Sequence, residues 1–146
     1  MSKKIKLKIK KVHPLAVTPK YAKPGDACLD LTAVGVSFVD EGDYGYVEYD
    51  FGLQFEFQPG HVMLIYPRSS ISNTGMLLSN SVGVIDAGFR GTVKARFRHI
   101  PGTKMYDVGD RVAQFMIIPY PTIDIEEVNE LTPTERSDGG FGSTNK

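Results

Sequence analysis

Phe51 Gly52 Leu53 Gln54 Phe55 Glu56 Phe57 Gln58 alternates a large apolar residue with a small or polar one four times in succession. Successive side chains of a β-strand point to opposite faces, so this period of two buries Phe51, Leu53, Phe55 and Phe57 on one side and hydrates the other. A helix would scatter the same rings around its circumference. The pattern recurs outward in both directions. Upstream, Ile5, Leu7 and Ile9 alternate with lysines, as in a strand whose outer face lysine protects. Downstream, Val93, Ala95 and Phe97 alternate with Lys94, Arg96 and Arg98. Further strands are expected over residues 61–66, 82–85 and 111–118. Glycine and proline punctuate them at Pro24 Gly25, Glu41 Gly42, Pro59 Gly60, Pro101 Gly102 and Val108 Gly109. Residues 69–76 have room for one short helix. Short strands at this spacing predict an all-β, jelly-roll-like sandwich or barrel over residues 1–130, followed by a flexible glycine-rich arm over residues 131–146.

Composition narrows the function. The chain has 146 residues, enough for one domain with a real core, and its 41% hydrophobic and 23% charged content is ordinary for a globular protein. Seventeen residues of each charge sign cancel, so neither stable nucleic-acid binding nor attachment to an anionic membrane is expected. Cys28 is the single cysteine, and His13, His61 and His99 are scattered, which leaves neither a disulfide framework nor zinc-ligand spacing. Cys28 reads as a small buried apolar residue rather than a nucleophile. With no apolar run long enough to span a bilayer, a cytoplasmic protein is expected, or one of the host cytoplasm or nucleus for a viral source.

Five segments carry chemistry. Pro24 Gly25 Asp26 Ala27 Cys28 Leu29 Asp30 Leu31 holds two carboxylates four residues apart, suited to a hydrated magnesium ion. Pro67 Arg68 Ser69 Ser70 Ile71 joins an arginine and two hydroxyls at the start of the short helix, an anion site or a serine N-cap. Gly83 Val84 Ile85 Asp86 Ala87 Gly88 Phe89 Arg90 Gly91 reads as a hairpin whose backbone can meet the edge of a base; Asp86 is the best general-base candidate, or a turn aspartate bonding its own backbone. Gly109 Asp110 Arg111 Val112 Ala113 Gln114 leads from a turn into a strand, with Asp110 and Arg111 reading by themselves as an ion pair and Gln114 as a neutral donor. Finally, Arg136 Ser137 Asp138 Gly139 Gly140 Phe141 Gly142 Ser143 Thr144 sets one arginine, one ring and hydroxyls among glycines, a nucleotide lid or a frayed terminus.

In this order the five segments resemble the motifs of the trimeric dUTP pyrophosphatases, the dUTPases, over residues 24–144. The resemblance implies a jelly-roll subunit, a homotrimer with shared sites, and magnesium-assisted water attack on the α-phosphorus of dUTP. The products are dUMP and pyrophosphate, so the reaction limits uracil incorporation into DNA and supplies dUMP. It implies that Asp30 holds a metal-bound water and that Arg68, Ser69, Ser70 and Gln114 grip phosphates. Asp86 would activate the attacking water, while Asn80, Gly83, Val84, Ile85 and Phe89 would surround uracil and deoxyribose. Asp110 and Arg111 would support the phosphate side. Arg136, Gly142, Ser143 and Thr144 would clamp the outer phosphates, and Phe141 would stack on uracil.

Four positions depart from the family pattern: Cys28, Ser137 and Asn145 stand at usual glycines, and Phe89 at a usual tyrosine. The nearest alternative is a dCTP deaminase, whose glutamate is missing from residues 79–91. Another is a member that also binds regulatory proteins, as some phage relatives act on repressors; the acidic, aromatic residues 40–46 are where such a partner would be sought.

Overall fold

In the computed structural model, which describes residues 4–143 apart from the Asp43 side chain, ten strands follow one another. They are β1 (Lys8–Lys11), β2 (Leu29–Thr32), β3 (Gly35–Val39), β4 (Tyr46–Asp50), β5 (Leu53–Glu56), β6 (His61–Pro67), β7 (Met76–Leu78), β8 (Gly83–Asp86), β9 (Lys94–His99) and β10 (Arg111–Pro119). Every pairing is antiparallel. One four-stranded sheet runs β2-β10-β6-β8, the other β3-β4-β9-β7, and β1 pairs with β5 alone.

The alternation in the sequence is the burial pattern of the strands. Leu53 and Phe55 of β5 and Phe57 just beyond it are buried, as are Ala95 and Phe97 of β9, while Lys94, Arg96 and Arg98 face solvent. Two aromatic contacts lie in the core, one between neighbouring strands of one sheet and one between β5 and β10. Tyr49 and Phe97 meet edge-on at 5.6 Å, and Phe55 and Phe115 meet at 5.5 Å with tilted planes. Such pairs add about 0.5–1.5 kcal/mol beyond the area they bury.

Three expectations need correction. The stretch from Gly83 to Gly91 does not form a hairpin: β8 pairs with β6, and β9 lies in the opposite sheet against β4 and β7. Too many residues separate the two strands for a tight turn, and the apolar side chains of each are better buried across the sandwich than side by side. The short helix is a 3₁₀ turn, Ser69–Asn73, because Met76 already belongs to β7; a second such turn spans Gly42–Tyr44. Regular structure ends at Pro119, ahead of the arm boundary placed at residue 131, and residues 120–138 are exposed.

Gly52 makes the turn from β4 to β5 possible. Its φ is +64°, a Cβ there would sit 2.6 Å from His13 Cβ, and its N–H donates to Asp50 Oδ1 at 2.7 Å. Gly52→Ala should therefore lower unfolding free energy by about 1–3 kcal/mol through left-handed strain and the clash. Denaturant titration checks this, and an unchanged midpoint would show that the turn accepts a side chain.

Candidate active site

One end of the β2-β10-β6-β8 sheet gathers an arginine cluster. Gln114 on β10 lies opposite Asp30 of β2 on one side and Tyr66 of β6 on the other, so the three share the outer face. Arg68 follows the last residue of β6. Its Nε donates to Asp30 Oδ1 at 2.8 Å, Arg111 Nη1 donates to Asp30 Oδ2 at 3.1 Å, and Arg68 Nη1 reaches the Arg111 carbonyl at 3.3 Å. Gln114 Nε2 donates to the Pro67 carbonyl at 3.0 Å. Two guanidinium groups share one carboxylate, so the cluster keeps a net positive charge and spare N–H donors for an anion.

The neighbouring residues settle the open readings. The N-cap position of the 3₁₀ turn is Arg68, in an extended conformation and with no side-chain cap bond, so neither serine caps it. Ser69 is exposed, and Ser70 Oγ lies 2.8 Å from the Tyr106 hydroxyl. Asp110 does not pair with Arg111, because its Oδ2 accepts the Asp107 N–H at 2.8 Å while Arg111 reaches across to Asp30. Asp26 Oδ2 accepts the Lys23 N–H at 2.8 Å, which closes a turn. Among the described residues no three His, Cys, Asp or Glu side chains converge. Each Asp30 oxygen takes one arginine bond and retains a lone pair for water, so the donor set suits a magnesium ion carried on phosphate oxygens and held to Asp30 through water. Burial, and then the Asp30 charge, push the Cys28 thiol up, which keeps it protonated and unreactive.

Between the two sheets lies a cleft of about 390 Å³ whose lining includes Asn80, Gly83, Val84, Ile85 and Phe89. Gly83 is buried so tightly that a Cβ would lie 3.1 Å from Ile65 Cβ. The Phe89 ring folds over Gly91, where a Cβ would come within 2.5 Å of it. Arg90 Nη1 clamps that turn by donating to the carbonyls of Ala87 at 2.7 Å and Phe89 at 3.1 Å. Asp86 ends β8, exposed, and among the described residues its carboxylate accepts no hydrogen bond. It is thus not engaged as an Asx-turn aspartate.

Asp86 lies opposite Val62 at the start of β6, whereas Arg68 follows its end. Those six residues of extended chain span roughly 20 Å. One copy of the chain therefore keeps Asp86 and the arginine cluster at opposite ends of the same sheet face. The arm joins neither. Arg136 Nε bonds its own Gly139 carbonyl at 3.0 Å, Phe141 is fully exposed, and among the described residues no hydrogen bond ties residues 121–143 to the sandwich. Gly142 and Ser143 belong to this free turn, and Thr144 lies outside the described residues.

The dUTPase family model matches residues 15–145. Among curated relatives, the deoxyuridine 5'-triphosphate nucleotidohydrolase of Clostridium acetobutylicum is 35% identical over 96% of this chain and 97% of its own, and that of Helicobacter hepaticus is 36% identical over 99% and 91%. Among solved structures, the Staphylococcus bacteriophage 80alpha dUTPase with dUpNHpp superposes with a TM-score of 0.79 at 21% identity, covering 97% of this chain and 99% of its own. A phage phi11 dUTPase variant with a structural Mg(II) ion superposes with a TM-score of 0.70 at 18% identity, covering 88% and 99%.

Glu48, Lys94 and Arg96 also line the cleft; the alternation in the sequence placed Lys94 and Arg96 on the polar face of a strand and gave no signal for Glu48. Glu48 takes bonds from Arg96 Nε at 2.7 Å and Lys94 Nζ at 3.3 Å, while Arg96 lies 4.4 Å from the Tyr46 ring centroid. Partial burial raises the Glu48 carboxyl, but the bonds from Arg96 and Lys94 outweigh it and hold the group below its usual 4.5. A depressed carboxyl stabilises the fold above its unfolded pKa, and the contribution disappears as pH falls through the folded value. Glu48→Gln should cost at most about 1 kcal/mol at neutral pH. Unfolding curves of the two proteins should converge in acid below pH 4.5. Parallel curves at every pH would show that the Glu48 charge contributes nothing.

Proposed function

The chain belongs to the dUTPase family and is a dUTP diphosphatase, and we propose that it works at composite sites, each assembled from more than one copy of the chain. The roughly 20 Å between Asp86 and Arg68 carries this reading, since a general base and a phosphate grip must act on one small substrate. The sheet face between them supports it. Val62, Leu64, Val84, Met116 and Ile118 point outward from β6, β8 and β10, with Val84 and Ile118 exposed. An apolar sheet face of this kind is what a subunit interface covers. A homotrimer would bring the Asp86 end of one copy to the arginine end of the next.

In such a site, uracil and deoxyribose occupy the cleft beside Asn80, Gly83, Val84 and Ile85, where backbone groups pair with the base edge and the Phe89 ring packs under the sugar. Arg68, Arg111, Ser69, Ser70 and Gln114 of another copy bind the phosphates and neutralise charge that grows on the leaving group. Asp110 shapes the turn that delivers Arg111. Asp86 accepts a proton from water as the water oxygen bonds to the α-phosphorus. The bond from that phosphorus to the oxygen bridging the β-phosphate then breaks, releasing pyrophosphate and leaving dUMP. Asp30 would hold a magnesium ion through water, and the ion would supply further charge neutralisation on the phosphates. The arm closes over the site, with Phe141 on the base and Arg136, Gly142, Ser143 and Thr144 on the outer phosphates. A free deoxynucleotide substrate fits an enzyme of the cytoplasm, or of the host cytoplasm or nucleus for a viral source.

Pyrophosphate release should be fast with dUTP and slow with dCTP, dTTP and UTP; comparable rates with all four would refute the specificity. Asp86→Asn should lower turnover at least about 100-fold with the fold intact. A chain truncated before Arg136 should also be inactive. Co-refolding these two inactive proteins should restore activity, because some mixed sites receive both an intact base and an intact arm. Mixed trimers that form by mass yet stay inactive would show that each arm serves its own copy.

A further inference from the structure

Tyr106 is tied at both ends, to the core through Tyr49 and to the segment of Arg68 through Ser70. Its carbonyl accepts the Tyr49 hydroxyl at 2.7 Å, its ring meets the Tyr49 ring edge-on at 6.4 Å, and its own hydroxyl lies 2.8 Å from Ser70 Oγ. Tyr49 is fully buried, and burial pushes its hydroxyl up to about 12, so it remains a donor at any working pH. The Tyr106 backbone and ring are therefore anchored in the core, and its hydroxyl is presented to Ser70 from a fixed position.

A serine hydroxyl has one proton and two lone pairs, and between Tyr106 and Ser70 either oxygen can donate. A phosphate oxygen only accepts. Once an anion lies against Arg68 and Arg111, the arrangement that satisfies all three groups runs from Tyr106 O–H to Ser70 Oγ, and from Ser70 O–H to phosphate, each bond polarising the next. We infer that Tyr106 is a positioning residue that commits the Ser70 hydroxyl to donate to the substrate phosphates. This rests on reading residues 68–70 as the phosphate grip.

The test compares wild type, Tyr106→Phe, Ser70→Ala and the double variant for dUTP turnover and for inhibition by inorganic pyrophosphate. Tyr106→Phe keeps the ring and removes only the hydroxyl. It should raise KM for dUTP and the pyrophosphate inhibition constant together by about threefold to tenfold, the scale of one hydrogen bond, with little change in kcat. Ser70→Ala should do at least as much, and the double variant should be no worse than Ser70→Ala, because Tyr106 acts through Ser70. Tyr49→Phe, which loosens the core anchor and leaves the Tyr106 hydroxyl in place, should lower the thermal midpoint with a smaller effect on KM. Unchanged KM in Tyr106→Phe, or additive losses in the double variant, would overturn the role. If Tyr106→Phe does not fold, a Ser70→Ala enzyme that binds pyrophosphate as wild type does overturns it equally. A wild-type protein inactive on dUTP would instead sink the functional reading beneath it.

Discussion

Six extended residues of β6, from Val62 opposite Asp86 to Pro67, precede Arg68, and an extended backbone cannot shorten without breaking its ladders to β10 and β8. Met63, Ile65 and Phe115 on the inner side of that sheet are buried in the core, so bending it to bring the two groups together would cost core packing. On the proposed reading, a single subunit is a rigid ruler with half a site at each end. The outer face between the halves carries aliphatic side chains where a monomer would carry polar ones. Assembly and catalysis answer the same constraint, because the surface that needs covering lies between the groups that need completing.

Within the arginine half, charge does the positioning. Two guanidinium groups close together repel, and Asp30 holds both by bonding each with a different carboxylate oxygen. The mostly buried setting of Asp30 strengthens those bonds, since little water competes. One carboxylate against two cations leaves the cluster short of negative charge, which a triphosphate would supply on the proposed reading. The aspartate is therefore better described as the scaffold of the phosphate grip than as a free metal ligand, and a water-held cation is the form in which it can serve both purposes.

The strands easiest to see in the sequence were those with long strict alternation. β5, β6, β9 and β10 were visible because rings or branched residues repeat on one face for most of their length. β2, β3, β4 and β7 were not, since Leu29–Thr32 and Met76–Leu78 offer too few residues to establish a period, and β3 exposes Val36 and Phe38. The false hairpin after Asp86 has a physical origin: a turn between two apolar runs looks the same whether the second run pairs beside the first or crosses to the other sheet. The site residues of residues 24–31, 67–71 and 83–91 were legible as chemistry, but their grouping was not. That Arg111 answers Asp30 rather than Asp110, and that Tyr106 answers Ser70, depends on register and loop path, which side-chain identity alone does not contain.

The arm completes the division of labour by being unable to fold by itself. Ordering each of its residues costs about 1–2 kcal/mol of backbone freedom, and glycines raise that cost. Ser137, Phe141 and Gly142 adopt positive φ, which adds strain at the two that are not glycine. No hydrogen bond to the sandwich offsets this among the described residues. On the proposed reading, a base under Phe141 and phosphates against Arg136 provide the compensation, with stacking contributing about 1–3 kcal/mol. Closure then follows the ligand's charge. A triphosphate engages both ring and arginine, whereas dUMP leaves the arginine without its partner and the ordering cost unmet. On that reading, the glycines that raise the arm's ordering cost make its closure depend on an intact substrate and its opening depend on the loss of pyrophosphate.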